Sequence, residues 1–160
     1  MNQQFASTIL TFPLFAGFTE YGAQMVLEPG ELKEYAPAEL VFAEGDSPAF
    51  TLLVLTGKLE VFLKRPNGDL PLNELGPGAI VGELGVLCGL ARTASLRAKE
   101  KSSVVQWDAP VFRRLLLRNT LLSERILGQS LRTLIDKERL LVDALAPLQG
   151  DAKTKHEPRA

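Results

Sequence analysis

The stretch from Gly82 to Ala98 reads GELGVLCGLARTASLRA, and it decides how the rest of the chain is interpreted. Four glycines surround the entry to this stretch, at Gly76, Gly78, Gly82 and Gly85. Because glycine lets the backbone turn sharply, main-chain N–H groups here can approach a bound anion closely. Glu83 adds an acceptor for a sugar hydroxyl, and Arg92 adds a permanently charged fork for phosphate oxygens. One acceptor and one cation at this turn predict a site for a singly charged sugar phosphate.

The same stretch resembles the cyclic nucleotide-binding domain family. The family pattern is a Gly-Glu-Leu-Ala/Gly-Leu motif, followed a few residues later by Pro-Arg-Ser/Thr/Ala-Ala-Thr/Ser. Residues 82–86 match the first half, and residues 92–95 match the second half at a usual spacing. Ala91 departs from the pattern, because many members carry proline at that position. We call residues 82–98 the cassette.

This resemblance implies roles for the residues of the cassette that match the family pattern. Glu83 would hold the ribose 2′-hydroxyl, and Arg92 would pair with the cyclic phosphate. Backbone N–H groups would complete the cradle near Gly82, Leu84 and Thr93. A plainer interpretation of the same two side chains is an ion pair between Glu83 and Arg92 across a turn.

Two hydroxyl side chains follow the arginine. Residues 93–98 alternate in character, so the strand that they predict would point Thr93 and Ser95 to the same face. Either hydroxyl can donate to a phosphate oxygen or to the base, although both residues also simply suit a strand. In the family a threonine after the arginine often accompanies guanine-accepting sites, so cyclic AMP and cyclic GMP both remain candidate ligands. The predicted ligand-binding residues are Gly82, Glu83, Leu84, Arg92, Thr93 and Ser95.

Length and composition predict a single domain over residues 1–148. The chain has 160 residues, is 46% hydrophobic and carries a formal net charge of −1. It therefore holds enough apolar residues for one core, and it has no basic surplus to bind nucleic acid or an anionic membrane by itself. No apolar run reaches the roughly 18 to 20 residues that span a bilayer, and no basic segment suggests a signal peptide at the N-terminus.

The single cysteine, Cys88, is compatible with a reducing compartment, because one cysteine excludes an intramolecular disulfide. We expect its side chain to be a small buried apolar group of the cassette rather than a reactive thiol. Together with the absence of a signal peptide, this predicts a cytoplasmic protein.

Residues 31–107 read as short strands separated by turn residues, about every 8 to 12 positions. Residues 51–55 are apolar after the threonine at their start and predict a buried strand, whereas residues 58–64 alternate and predict a half-exposed one. Asn67-Gly68 is a hairpin signal. The family resemblance covers residues 14–145. The predicted fold is mainly β with flanking helices: an antiparallel β jelly-roll barrel with a long C-terminal helix.

Helix signals lie on both sides of these strands. Residues 2–10 predict a short helix, and Thr19 predicts the N-cap of a second one that ends near Leu27. Asp108 and Pro110 predict the start of a helix over residues 111–118.

A longer helix is predicted over residues 121–145, followed by a disordered tail over residues 149–160 that contains His156. The apolar positions of this helix fall on a 3-and-4 spacing at Leu127, Leu131, Leu134, Leu141 and Leu145. They form either the seam of a homodimer or the face of an amphipathic helix on its own barrel. In the family the last helix often moves over the purine, and the polar candidates for that contact are Gln129, Ser130, Arg132 and Thr133.

The motifs of common enzymes are missing from the sequence. It has no Gly-x-x-x-x-Gly-Lys-Ser/Thr loop, and one cysteine with one tail histidine cannot form a zinc site. We therefore expect a non-enzymatic module, without metal or cofactor, that binds a cyclic mononucleotide and passes occupancy through its last helix to an unidentified effector protein. Two alternatives remain: a degenerate domain of the same fold that serves as a structural or interaction surface, and a truncated DNA-binding regulator.

Overall fold

In the computed structural model, which describes residues 3–153, eight strands form two antiparallel sheets of four strands each. The elements before the cassette are α1 (Gln3–Ile9), a 3₁₀ turn (Pro13–Phe15), α2 (Glu20–Leu27), β1 (Glu31–Tyr35), β2 (Leu40–Phe42), β3 (Phe50–Thr56), β4 (Leu59–Leu63), β5 (Leu70–Leu75) and β6 (Ile80–Val81). Those from the cassette onwards are α3 (Glu83–Cys88), β7 (Ser95–Ala98), β8 (Ser102–Asp108), α4 (Ala109–Arg118) and α5 (Thr120–Lys153).

The strand orders are β1-β8-β3-β6 in one sheet and β2-β7-β4-β5 in the other. Both sheets contribute to one buried cluster, which consists of Leu52, Val54, Leu59, Val81, Leu96, Ala98 and Val104. The predicted jelly-roll fold with flanking helices is confirmed. The two sheets do not close into a barrel, because β1, β6, β2 and β5 are each paired with only one strand.

The strand predictions from the apolar pattern are confirmed. Residues 51–55 are all buried within β3, because this strand is covered on both faces. One face lies in the cluster between the sheets, and α1, α3 and α4 contact the strand as well. The hairpin predicted at Asn67-Gly68 joins β4 to β5.

The two predicted helix starts have different outcomes. Thr19 caps α2 as predicted, since its side-chain oxygen accepts a hydrogen bond from Gly22 N at 3.0 Å. Asp108 occupies the N-cap position of α4, but its side chain makes no capping hydrogen bond. It is still the last residue of β8, paired with Phe50, and the main chain anchors the helix instead: Ala109 N donates to Ala49 O at 2.8 Å. The helix start predicted from Asp108 and Pro110 is therefore confirmed, but Asp108 does not cap the helix through its side chain.

The chain divides into two units between Ser123 and Glu124, and α5 continues from the first into the second. The helix ends at Lys153, later than the predicted end near residue 145, so it includes the start of the predicted tail. The rest of that tail, residues 154–160 with His156, lies outside the described residues. Within residues 3–153, no helix combines the length and apolarity needed to cross a membrane.

Candidate functional site

The cassette begins at a glycine in the left-handed conformation. Gly82 has φ +79° and precedes α3 as its N-cap residue, so a side chain here would be strained. A Cβ atom on Gly82 would also collide with the guanidinium of Arg92. In a helix the first N–H groups have no acceptor within the helix, so those of Glu83 and Leu84 are directed to its N-terminal end. The first turn of α3, which contains Glu83 and two of the predicted main-chain donors, therefore lies beside Arg92.

Arg92 is 5% exposed, which is unusual for a charged side chain. Its Nη1 donates to Gly82 O at 2.8 Å, and its Nη2 donates to Phe50 O. The guanidinium carbon lies 4.3 Å from the ring centre of Phe42 and 5.2 Å from that of Phe50. Its Nε is buried and has no hydrogen-bond partner among the described residues. Arg92 is thus a buried cation whose Nε donor is unsatisfied within the described structure.

Two acidic residues lie in the electrostatic surroundings of this cation. Burial lowers the pKa of Arg92, and the charges of Asp46 and Glu83 partly raise it again. The guanidinium nevertheless remains charged, because arginine is not deprotonated in proteins. Main-chain bonds hold the Asp46 turn against the cassette: Arg92 N donates to Asp46 O at 2.9 Å, and Gly45 N donates to Arg92 O at 2.8 Å.

The sequence predicted that Thr93 and Ser95 point to the same face of one strand, and this prediction was wrong. Strand β7 begins only at Ser95, and Thr93 lies in a bend before it, where the alternation of strand side chains does not apply. Thr93 is exposed, whereas Ser95 is buried. Ser95 Oγ accepts a hydrogen bond from Glu44 N at 2.9 Å, so this hydroxyl helps to hold the turn after β2.

Cys88 is exposed, so the prediction of a buried apolar cysteine was wrong. The residue that α3 buries is Val86, two positions earlier. Two residues correspond to about 200° of rotation around a helix, so Cys88 points away from the face that Val86 buries.

Sequence reasoning missed the two aromatic rings beside Arg92. Phe42 and Phe50 lie in β2 and β3, where an aromatic residue normally indicates a contribution to the core. Their ring-to-ring distance of 6.1 Å shows that the two strands bring them together. Because β2 and β3 belong to different sheets, only the packing of the two sheets could have revealed this arrangement. Among the described residues, no group of three or more His, Cys, Asp or Glu side chains is placed to hold a metal ion.

Comparison with known proteins agrees with this geometry. The family model "Cyclic nucleotide-binding domain" matches residues 32–119, more than half of the chain. The match runs from the second residue of β1 to the residue after α4, and it includes the whole cassette. The chain belongs to the cyclic nucleotide-binding domain family, a family of ligand-binding regulatory domains.

Three similar proteins illustrate its relatives. A cAMP-dependent protein kinase regulatory subunit of Blastocladiella emersonii is 33% identical over 55% of this chain and 22% of its own length. Potassium channel KAT3 of Arabidopsis thaliana is 26% identical over 100% of this chain and 26% of its own length. The structure of the Thermus thermophilus catabolite activator protein has a TM-score of 0.75 and 27% identity, covering 84% of this chain and 63% of that one. The chain spans about a quarter of these two curated relatives.

Proposed function

We propose that this chain is a regulatory module that binds a cyclic mononucleotide, cyclic AMP or cyclic GMP, and responds with a movement of α5. The observation that carries the proposal is Arg92, a buried cation beside Gly82 and the N-terminus of α3 whose Nε has no partner in the described part of the chain. A buried polar group without a hydrogen bond is costly, so a ligand oxygen that satisfies it contributes directly to binding.

The charge around Arg92 favours a phosphodiester over a phosphomonoester. A cyclic phosphate carries one negative charge, which matches one guanidinium. A 5′-monophosphate carries between one and two negative charges near neutral pH, since its second pKa is about 6. Asp46 and Glu83 lie close enough to affect the pKa of Arg92, and they would repel that additional charge.

The other predicted site residues take the roles that the cassette geometry allows. The Glu83 carboxylate accepts a hydrogen bond from the ribose 2′-hydroxyl, and the N–H groups of the first turn of α3 donate hydrogen bonds to phosphate oxygens. Thr93 is exposed in the bend before β7, and its hydroxyl is proposed to donate to the base or to a phosphate oxygen. Ser95 is a weaker contributor, because its hydroxyl already accepts a hydrogen bond from Glu44 N.

Helix α5 is the proposed output of the module. Its five leucines of the 3-and-4 pattern are between 46% and 64% exposed: Leu127, Leu131, Leu134, Leu141 and Leu145. This exposure favours a homodimer seam, and light scattering of the purified chain tests it by measuring the mass of the protein in solution.

In the proposed cytoplasmic protein, the movement of α5 acts on an unidentified effector protein. The coupling is a shift between two helix positions, driven by ligand contacts made in only one of them.

Calorimetric titration of the folded chain with cyclic AMP and with cyclic GMP tests this function, with 5′-AMP as the matched control. The proposal predicts saturable binding of a cyclic nucleotide at least about tenfold tighter than 5′-AMP. The tighter of the two cyclic ligands identifies the preferred base. Absence of binding by a folded, ligand-free sample would overturn the proposal and favour a degenerate interaction domain.

A further inference from the structure

Guanidinium groups hold the short helix α3 at both of its ends. Arg92 donates to the carbonyl of Gly82 before the helix, and Arg113, in α4, donates from Nη2 to Val86 O at 2.7 Å. The helix has only six residues, a length that is not stable on its own in water. Its position therefore depends on such outside contacts.

The contact of Arg113 is well suited to the C-terminal end of a helix. The last carbonyls of a helix have no donors within it, and a cation there also complements the helix dipole. Gly89, at φ +67°, ends α3, and its N–H together with that of Leu90 donates to Gly85 O. Arg113 binds the next carbonyl along, that of Val86, from a different helix.

Helix α4 is connected to other elements on either side of Arg113. The residue before Arg113, Phe112, is buried, and its ring centre lies 6.3 Å from that of Trp107. Trp107 in turn donates from Nε1 to Val26 O at 3.0 Å, which connects α2. On the other side of Arg113, Leu116 O accepts a hydrogen bond of 2.6 Å from Oγ of Ser123, which lies at the start of α5. Arg113 thus lies between the cassette and the first residues of α5.

From this placement we infer that Arg113 is a positioning residue: it fastens α3 to α4, so that a displacement of the cassette on ligand binding moves α4 as well. The inference rests on the proposed function for its ligand, but the fastening itself exists in the free chain. A purely local role would be to cap α3 without any effect on α4. The two roles differ in what happens to α4 when ligand binds.

The first measurement is hydrogen exchange of the ligand-free chain, with Arg113→Met compared with the parent. Methionine keeps an unbranched side chain but removes the donors. Arg114→Met is the matched control, since Arg114 is the next residue of the same helix and is exposed. Loss of one hydrogen bond is expected to speed exchange at Gly89 and Leu90 about three- to tenfold, and the control should match the parent. Equal exchange in Arg113→Met and the parent would overturn the fastening.

The second measurement repeats the exchange at saturating cyclic nucleotide. In the parent, ligand should change the exchange of both α3 and α4. In Arg113→Met the change in α3 should persist, whereas that in α4 should fall by at least half, and Arg113→Lys should restore part of it. An α4 response of equal size in the parent and Arg113→Met, or no α4 response in the parent, would overturn the inference. If the folded parent binds no cyclic nucleotide, the proposed function fails, and the fastening is decided by the ligand-free exchange alone.

Discussion

Arg92 and Arg97 lie five residues apart, yet their surroundings are opposite in kind. Arg97 is partly exposed on the outer face of β7, where its Nε donates to Glu60 Oε2 at 2.7 Å and its Nη1 donates to Asp69 Oδ2 at 2.5 Å. Its guanidinium carbon lies 4.2 Å from the ring centre of Phe62. Arg92 also lies over aromatic rings, but its two bonded nitrogens donate to main-chain carbonyls, and its Nε donates to nothing in the described structure.

The pKa values of the two arginines shift in opposite directions, because their surroundings differ. Hydrogen bonds to Glu60 and then Asp69 raise the pKa of Arg97, whereas burial lowers that of Arg92. The comparison teaches that a surface arginine with matched carboxylates stabilises the sheet, whereas a buried arginine with an unsatisfied donor is suited to receive an anion. Identical residue types in one short stretch thus serve different purposes.

The largest expected effect is the difference in cyclic nucleotide affinity between variants in which methionine replaces Arg92 or Arg97. Arg92→Met is expected to weaken cyclic nucleotide binding at least about thirtyfold, because it removes the buried partner of the phosphate. Arg97→Met should bind within about twofold of the parent. Titration calorimetry measures both, and circular dichroism establishes that each variant is folded. Similar affinities for the two folded variants would break the comparison.

Glycines at the two ends of α3 offer the next largest effect. Gly82 and Gly89 both have positive φ, so alanine at either position should cost about 1 to 2 kcal/mol of unfolding free energy. Only at Gly82 would the new Cβ meet the guanidinium of Arg92, whereas at Gly89 it would enter open space. Gly82→Ala should therefore bind about tenfold or more weakly than Gly89→Ala, although the two lose similar backbone stability. Denaturant unfolding and calorimetry together test this, and equal affinities would contradict the assigned cradle.

Glu83 should determine how the site treats the ribose. The parent is expected to prefer the ribonucleotide over its 2′-deoxy form by about tenfold, the effect of a hydrogen bond to a charged group. Glu83→Gln should lose most of this preference while retaining the preference for a cyclic phosphate. Competition binding with the two sugars measures the ratio. A ratio unchanged by the substitution would remove Glu83 from the site.

The smallest effect concerns salt. The Arg97 pairs are partly exposed, so they should contribute about 1 kcal/mol or less to stability, and about 1 M NaCl should screen much of that. Arg97→Met should consequently lose less stability than the parent when salt is added. Urea unfolding at low and high salt provides the comparison. An identical salt response in the parent and Arg97→Met would show that the pairs add nothing to stability.

The sequence was sufficient for those features that depend on local patterns. The turn residues, the apolar run of β3 and the threonine before α2 predicted the jelly-roll fold and its flanking helices. The glycines, Glu83 and Arg92 predicted a site at the cassette, and the structure places these residues together. Such features are encoded by neighbouring residues, so no knowledge of strand pairing was needed.

Features that depend on long-range pairing could not be predicted. Phe42 and Phe50 reach Arg92 only because β2 and β3 bring them there, 50 and 42 residues away from it in sequence. Thr93 was placed on the wrong face because the start of β7 is set by its partner strands. The contact between Arg113 and Val86 O likewise joins two helices across 27 positions, and no local motif marks it.

Nuclear magnetic resonance of the arginine Nε–H groups would test the central claim most directly. The signal of Arg92 Nε is identified by its absence from Arg92→Met, and that of Arg97 by its absence from Arg97→Met. Saturation with the cyclic nucleotide that binds should move the Arg92 signal downfield as its unpartnered donor gains an acceptor, while Arg97, already bonded to Glu60, stays in place. Saturable binding without any change at Arg92 would contradict the role of this arginine as the phosphate's partner.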